Sequence, residues 1–131
     1  MAIVKTIHRL AAGALAGAAV LTFTAPAGAD TPYAQASALV APDGSLENGT
    51  NIIRTWRVGA GDYCVAVDPS VNLEETQAVH ATPAGHDHAV RVLSVHVGAP
   101  MCGNWRVDVI GVHSRDVRDR GRDTAFYLTV S

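Results

Sequence analysis

Trp56-Arg57-Val58-Gly59-Ala60-Gly61-Asp62-Tyr63-Cys64-Val65 reads as two short strands folded back on a glycine-containing loop. Apolar and polar residues alternate on both arms, the period of a half-buried strand, and glycine supplies the backbone freedom a reversal needs. A four-residue loop would pair Val58 with Tyr63 and Trp56 with Val65. Trp56, Val58, Tyr63, Val65 and Val67 would then share a core face, with Arg57 and Cys64 on the other. No helical period competes with this reading, so the segment points to an antiparallel sheet.

The same texture continues in both directions. Short β-branched runs near Gln35–Val40, Ile52–Val58, Tyr63–Val67, Gln77–Thr82, Ala89–Val97, Trp105–Val112 and Thr124–Val130 are separated by turn formers such as Pro42-Asp43-Gly44, Asp68-Pro69, Pro83-Ala84-Gly85 and Pro100. About seven strands in about 100 residues predict an all-β, two-layer antiparallel sandwich, with a small barrel as the second choice. Asn48-Gly49-Thr50 matches a glycosylation acceptor pattern and is read as a turn. In Trp105-Arg106-Val107-Asp108-Val109 the alternation turns Arg106 and Asp108 outward. Phe126–Val130 alternates as well and is expected to pair inside a sheet, so that truncation there is damaging. The apolar residues Val90, Val92, Leu93, Val95 and Val97 change phase between 92 and 93, which a bulge or burial of both faces would accommodate.

The first 29 residues have a different character. Lys5 and Arg9 precede an apolar run from Leu10 to Phe23, and small residues follow to Ala27-Gly28-Ala29. This is the order of a secretory signal peptide, and the run is short of the about 20 residues that span a bilayer. Cleavage is expected after Ala29. Removing residues 1–29 of the 131 leaves 102, enough for one domain over residues 35–131 behind a loose tail at 30–34. The mature chain has no lysine and sets eight arginines against twelve carboxylates, net −4. Such a charge offers nucleic acid no general attraction. Cys64 and Cys102, an even pair in an oxidising compartment, read first as a disulfide, ahead of free thiols or metal ligands. That pairing leaves no thiol nucleophile.

Candidate sites are few. Four of the six histidines lie between His80 and His96. On a hairpin turning near His86, His80, His88 and His96 stand too far apart to share an ion bound at about 2 Å. Only His86, Asp87 and His88 are close enough for a low-affinity surface metal site; the segment reads first as a solvated turn, and no metal is expected. The loop Ser114–Asp123 carries Arg115, Arg118, Arg120 and Arg122 among three aspartates. It reads as a charge-compensated connection, or as an arginine cluster for carboxylate, sulfate or phosphate groups. Asp68, Glu74 and Glu75 read as loop residues rather than an opposed catalytic pair. No nucleophile elbow, phosphate-binding glycine loop or zinc-protease helix motif occurs, and no cofactor is expected.

Ala38–Leu46, followed by Gly59-Ala60-Gly61-Asp62-Tyr63-Cys64-Val65-Ala66-Val67 and the closing Phe126, Leu128 and Val130, resembles small secreted β-domain proteins of unknown function from high-GC Gram-positive bacteria. The shared motifs are turns, core positions and a cysteine, so the resemblance implies an exported all-β fold and assigns no site residue. The expected protein is therefore a secreted, monomeric, non-catalytic module for an extracellular protein or cell-envelope component, without membrane insertion of the mature chain. A small secreted protease inhibitor, presenting the loop Gly98–Asn104 beside Cys102, is the alternative, and a small hydrolase the third reading. Protein recovered from the medium should begin at Asp30 by N-terminal sequencing and titrate no free thiol. A chain beginning at Met1, or two reactive thiols, would contradict this reading.

Overall fold

A computed structural model describes residues 34–76, 78–85, 88–103 and 106–131. Eight strands follow one another: β1 (Ala36–Val40), β2 (Leu46–Thr50), β3 (Ile52–Gly59), β4 (Asp62–Val67), β5 (Val79–Pro83), β6 (Val92–Val97), β7 (Val109–Arg115) and β8 (Phe126–Val130). They form two four-stranded antiparallel sheets, ordered β2-β1-β8-β5 (sheet A) and β3-β4-β7-β6 (sheet B). The sandwich is thus as expected, and no closed barrel forms. The leader, and all of the expected tail except Ala34, lie outside the described residues. Among the described residues no helix is long and apolar enough to cross a membrane.

Strand alternation builds the core. Ala36, Ala38 and Val40 of β1, Tyr63, Val65 and Val67 of β4, Ile110 and Val112 of β7, and Phe126, Leu128 and Val130 of β8 meet between the sheets, all essentially buried. β8 lies between β1 and β5, an interior position. Tyr63 spans the layers. Its ring meets Phe126 edge-on at 5.1 Å, while its hydroxyl donates to the Pro42 carbonyl (2.8 Å) and accepts from the Thr124 amide (2.9 Å). Two loop backbones are thereby tied to one buried side chain.

The turn after β3 is tighter than the sequence suggests. Gly59 pairs with Asp62 across Ala60-Gly61, Arg57 with Tyr63, Trp56 with Cys64 and Thr55 with Val65. Gly61 has φ +71°, and a Cβ there would collide with the Ser114 carbonyl and the Arg122 amide, so a two-residue turn closes on a position that demands glycine. The spare residue is absorbed by a register shift between Arg57 and Gly59 that leaves Val58 45% exposed. Trp56 consequently lies on the Cys64 side of sheet B rather than in the main core. There it packs with Cys64, Ala66, Ala99, Met101, Cys102 and Val109, under the Arg54 guanidinium 4.3 Å from its ring.

Three further expectations change. Leu46–Thr50 is a strand: its five exposed residues pair with β1 at the sheet edge, and Asn51 at φ 56° turns the chain directly into β3. β5 and β6 do not form a hairpin, because β5 pairs with β8 in sheet A and β6 with β7 in sheet B. Within β6 the register runs unbroken from Val92↔Arg115 to Val97↔Ile110. Leu93 and Val95 face the core while Val90 and Val92 remain exposed, so neither a bulge nor two buried faces is needed.

The Tyr63 hydroxyl gives a direct check on the sandwich. Tyr63→Phe removes the shared partner of a part-buried amide and carbonyl and should cost about 1–2 kcal/mol in urea unfolding. Tyr127→Phe, on an exposed ring, should stay within about 0.5 kcal/mol of wild type. Equal losses for the two would contradict the packing described here.

Candidate functional site

The disulfide divides the outer face of sheet B. Cys64 is bonded to Cys102 across 38 residues of sequence, as the cysteine count suggested. The Pro100–Cys102 3-10 turn is thereby held against β4 and β7. A Cβ on Gly111 would strike the Ala99 methyl and come within 3.0 Å of Met101 Cε, so the loop needs glycine beneath it. Ala66, Val109 and Gly111 lie under this cover, with Trp56 at its side.

Beyond the cover, the face is polar. Register aligns Asp62 of β4 with His113 of β7 and Ser94 of β6, with His96 and Arg115 two residues along their strands. His113 Nδ1 lies 2.8 Å from Asp62 Oδ1, which the Arg115 guanidinium also reaches at 2.9 Å. Burial alone would push the Asp62 carboxyl up, but hydrogen bonds from His113 and Arg115 hold it below its ordinary 3.8. The Arg115 guanidinium also stands 3.5 Å from His113 Nδ1, so carboxylate, imidazole and guanidinium meet at one point. The His96 ring stands against His113, centroids 5.5 Å apart and planes at 76°.

Ser94, His113 and Asp62 are the residue types of a nucleophile–base–orienter row. Ser94 Oγ makes no hydrogen bond to His113 among the described residues. His96 and His113 stand seventeen positions apart in the sequence, on different strands. The paired register of β6 and β7 is what joins them.

The arginine loop is organised inward on Asp116. That carboxylate, 11% exposed, accepts from the amides of Arg118 and Arg120 and from the side chains of Arg120 and Arg122. Arg115 is engaged by Asp62, and Arg57 by Asp123, whose Oδ1 also takes the Gly61 amide. Among the described residues Arg118 alone of the four loop arginines has no ion pair. The loop therefore has the compensated character of a structural connection.

His86 and Asp87 lie outside the described residues, so the His86/Asp87/His88 candidate has no geometry to report. Among the described residues no three or more His, Cys, Asp or Glu side chains are arranged to hold a metal ion. Asp68 caps its own turn through the Ser70 amide at 2.9 Å, and Glu74 and Glu75 are exposed in the following loop. No protein-family model, curated protein or solved structure matches the chain.

The paired carboxylates predict acid sensitivity. Hydrogen bonds from the Arg118 and Arg120 amides and from the Arg120 and Arg122 side chains lower Asp116 far below 3.8, and Asp123, bound by Arg57, is lowered too. A depressed carboxyl stabilises the fold fully above its unfolded value, and that contribution drains away as pH falls through the folded one. The urea midpoint should therefore drop as pH is lowered from about 4 toward 2, and Asp116→Asn should flatten the decline. A midpoint independent of pH over that range would contradict these pairings.

Proposed function

We propose that the chain is exported and acts as a non-catalytic extracellular binding module, with the outer face of sheet A as its contact surface. The signal-peptide pattern of residues 1–29 and the disulfide support export. The observation that carries the binding reading is Tyr127, 54% exposed in the middle of a sheet face. Around it the register sets Asn48 and Thr50 of β2, Ser37 and Leu39 of β1, Thr129 of β8, and Thr82 and His80 of β5. None of these is a carboxylate or a guanidinium. A shallow concavity of about 440 Å³ lies between β2, β1 and β8, lined by Ser37, Leu39, Asn48, Thr50, Tyr127 and Thr129.

Such a surface suits an uncharged partner: an aromatic ring supplies apolar contact, and hydroxyls and an amide supply directed hydrogen bonds. The arginines are a poorer choice, since three of the four in the Ser114–Asp123 loop are already held by carboxylates. The inhibitor alternative gains little from residues 98–103, which curl into a 3-10 turn with Ala99 and Cys102 buried instead of projecting.

Retention of the protein on cell-envelope fractions and extracellular proteins tests the reading. Binding should persist from about 50 mM to about 500 mM salt, because no exposed charge pair carries it. Tyr127→Ala should weaken it by about tenfold or more, while Arg118→Ala and Arg120→Ala leave it unchanged. Salt-labile binding abolished by the arginine substitutions would overturn the proposal.

A further inference from the structure

We propose that His96 and His113, with Met101 at their edge, form a surface site for copper. The two imidazoles project from neighbouring strands on the open half of sheet B, their centroids 5.5 Å apart. Imidazoles sharing one ion at metal–nitrogen distances of about 2.0–2.1 Å each place a centroid about 3.2 Å from it, so this separation subtends about 120° at the metal. That angle lies near the tetrahedral and trigonal values.

His113 has the orienting contact of a metal-binding histidine: Nδ1 lies 2.8 Å from Asp62 Oδ1 and 3.5 Å from the Arg115 guanidinium, and in the tautomer that donates to Asp62 the metal-binding nitrogen is Nε2. Arg115 anchors Asp62 in turn, which keeps the carboxylate on the ring rather than on an ion. His96 is exposed, so its ring is free to turn about χ2 without disturbing the core.

Met101 selects the metal. Its Cε lies 3.0 Å from where a Gly111 Cβ would stand, and Gly111 is both the register partner of His96 and two residues from His113. The disulfide at Cys102, the next residue, ties Met101 to this side of the sheet. Two imidazoles beside a thioether favour copper, since thioether sulfur prefers Cu⁺ and imidazole affinity among divalent ions peaks at Cu²⁺. The remaining position is open to water or to a donor brought by a partner.

The test uses tag-free protein, titrated with Cu⁺ held reduced against a competing chromophoric chelator, and separately with Cu²⁺ and Zn²⁺. One Cu⁺ per chain is expected. His96→Ala and His113→Ala should each weaken it by about tenfold or more, while His86→Ala and His88→Ala leave it unchanged. Met101→Leu should weaken Cu⁺ but change Cu²⁺ by less than about threefold. Melting transitions establish that each variant is folded. In the unsubstituted chain, substoichiometric Cu²⁺ should broaden the imidazole resonances of His96 and His113 first. Broadening that starts at His86 and His88, indifference of Cu⁺ binding to His96→Ala and His113→Ala, or displacement of copper by equimolar Zn²⁺ would overturn the proposal.

Discussion

The bond between Cys64 and Cys102 decides what the rest of sheet B can do. A strand at the centre of a sandwich has one face in the core, and its other face must be covered or made polar. On β4 both solutions occur within six residues. Cys64 and Ala66 are capped by the loop that the disulfide pins down, whereas Asp62, at the open end, is paired with His113 and Arg115. Closing a loop of this length removes disorder from the unfolded chain, worth about 4 kcal/mol in the chain-entropy account. In a domain this small, that is a large share of the whole. The same loop brings Met101 over Gly111, so the staple also determines which side chain borders the histidine pair.

The two outer faces are therefore chemically unlike. Sheet A presents hydroxyls, an amide and the Tyr127 ring, with no carboxylate or guanidinium at the paired positions. Sheet B presents a covered apolar half and a half where acid, base and imidazole are matched. Among the described residues most guanidinium charge is spent internally: Arg57 on Asp123, Arg106 on Asp108, Arg115 on Asp62, and Arg120 and Arg122 on Asp116. These pairs hold loops in place more than they prepare a surface for ions. The two proposals rest on what lies apart from these pairs, an uncharged face on sheet A and two imidazoles on sheet B.

Much of this was legible in the residues, for identifiable reasons. The core was visible because Tyr63, Val65 and Val67, and Phe126, Leu128 and Val130, alternate cleanly, and the cysteine count led to the disulfide. β2 was hidden because Leu-Glu-Asn-Gly-Thr lacks alternation and β propensity; pairing with β1 alone makes it a strand. The hairpin register was missed by one residue because a bulge at Val58 is silent in the pattern. The histidines misled for a topological reason: sequence proximity suggested a hairpin from His80 to His96, whereas the chain changes sheets between β5 and β6. His113 meets His96 only through strand pairing, and Asp62, a residue of the turn in sequence terms, becomes its orienter through the shorter loop.

Amide hydrogen exchange before and after selective reduction of the disulfide tests the central claim most directly. If the Cys102 loop covers one half of sheet B, reduction should strip protection first from amides of residues 64–66 and 109–111, while β1 and β8 keep theirs. Uniform loss across both sheets, or no loss beneath the loop, would contradict the division of sheet B's outer face by the disulfide.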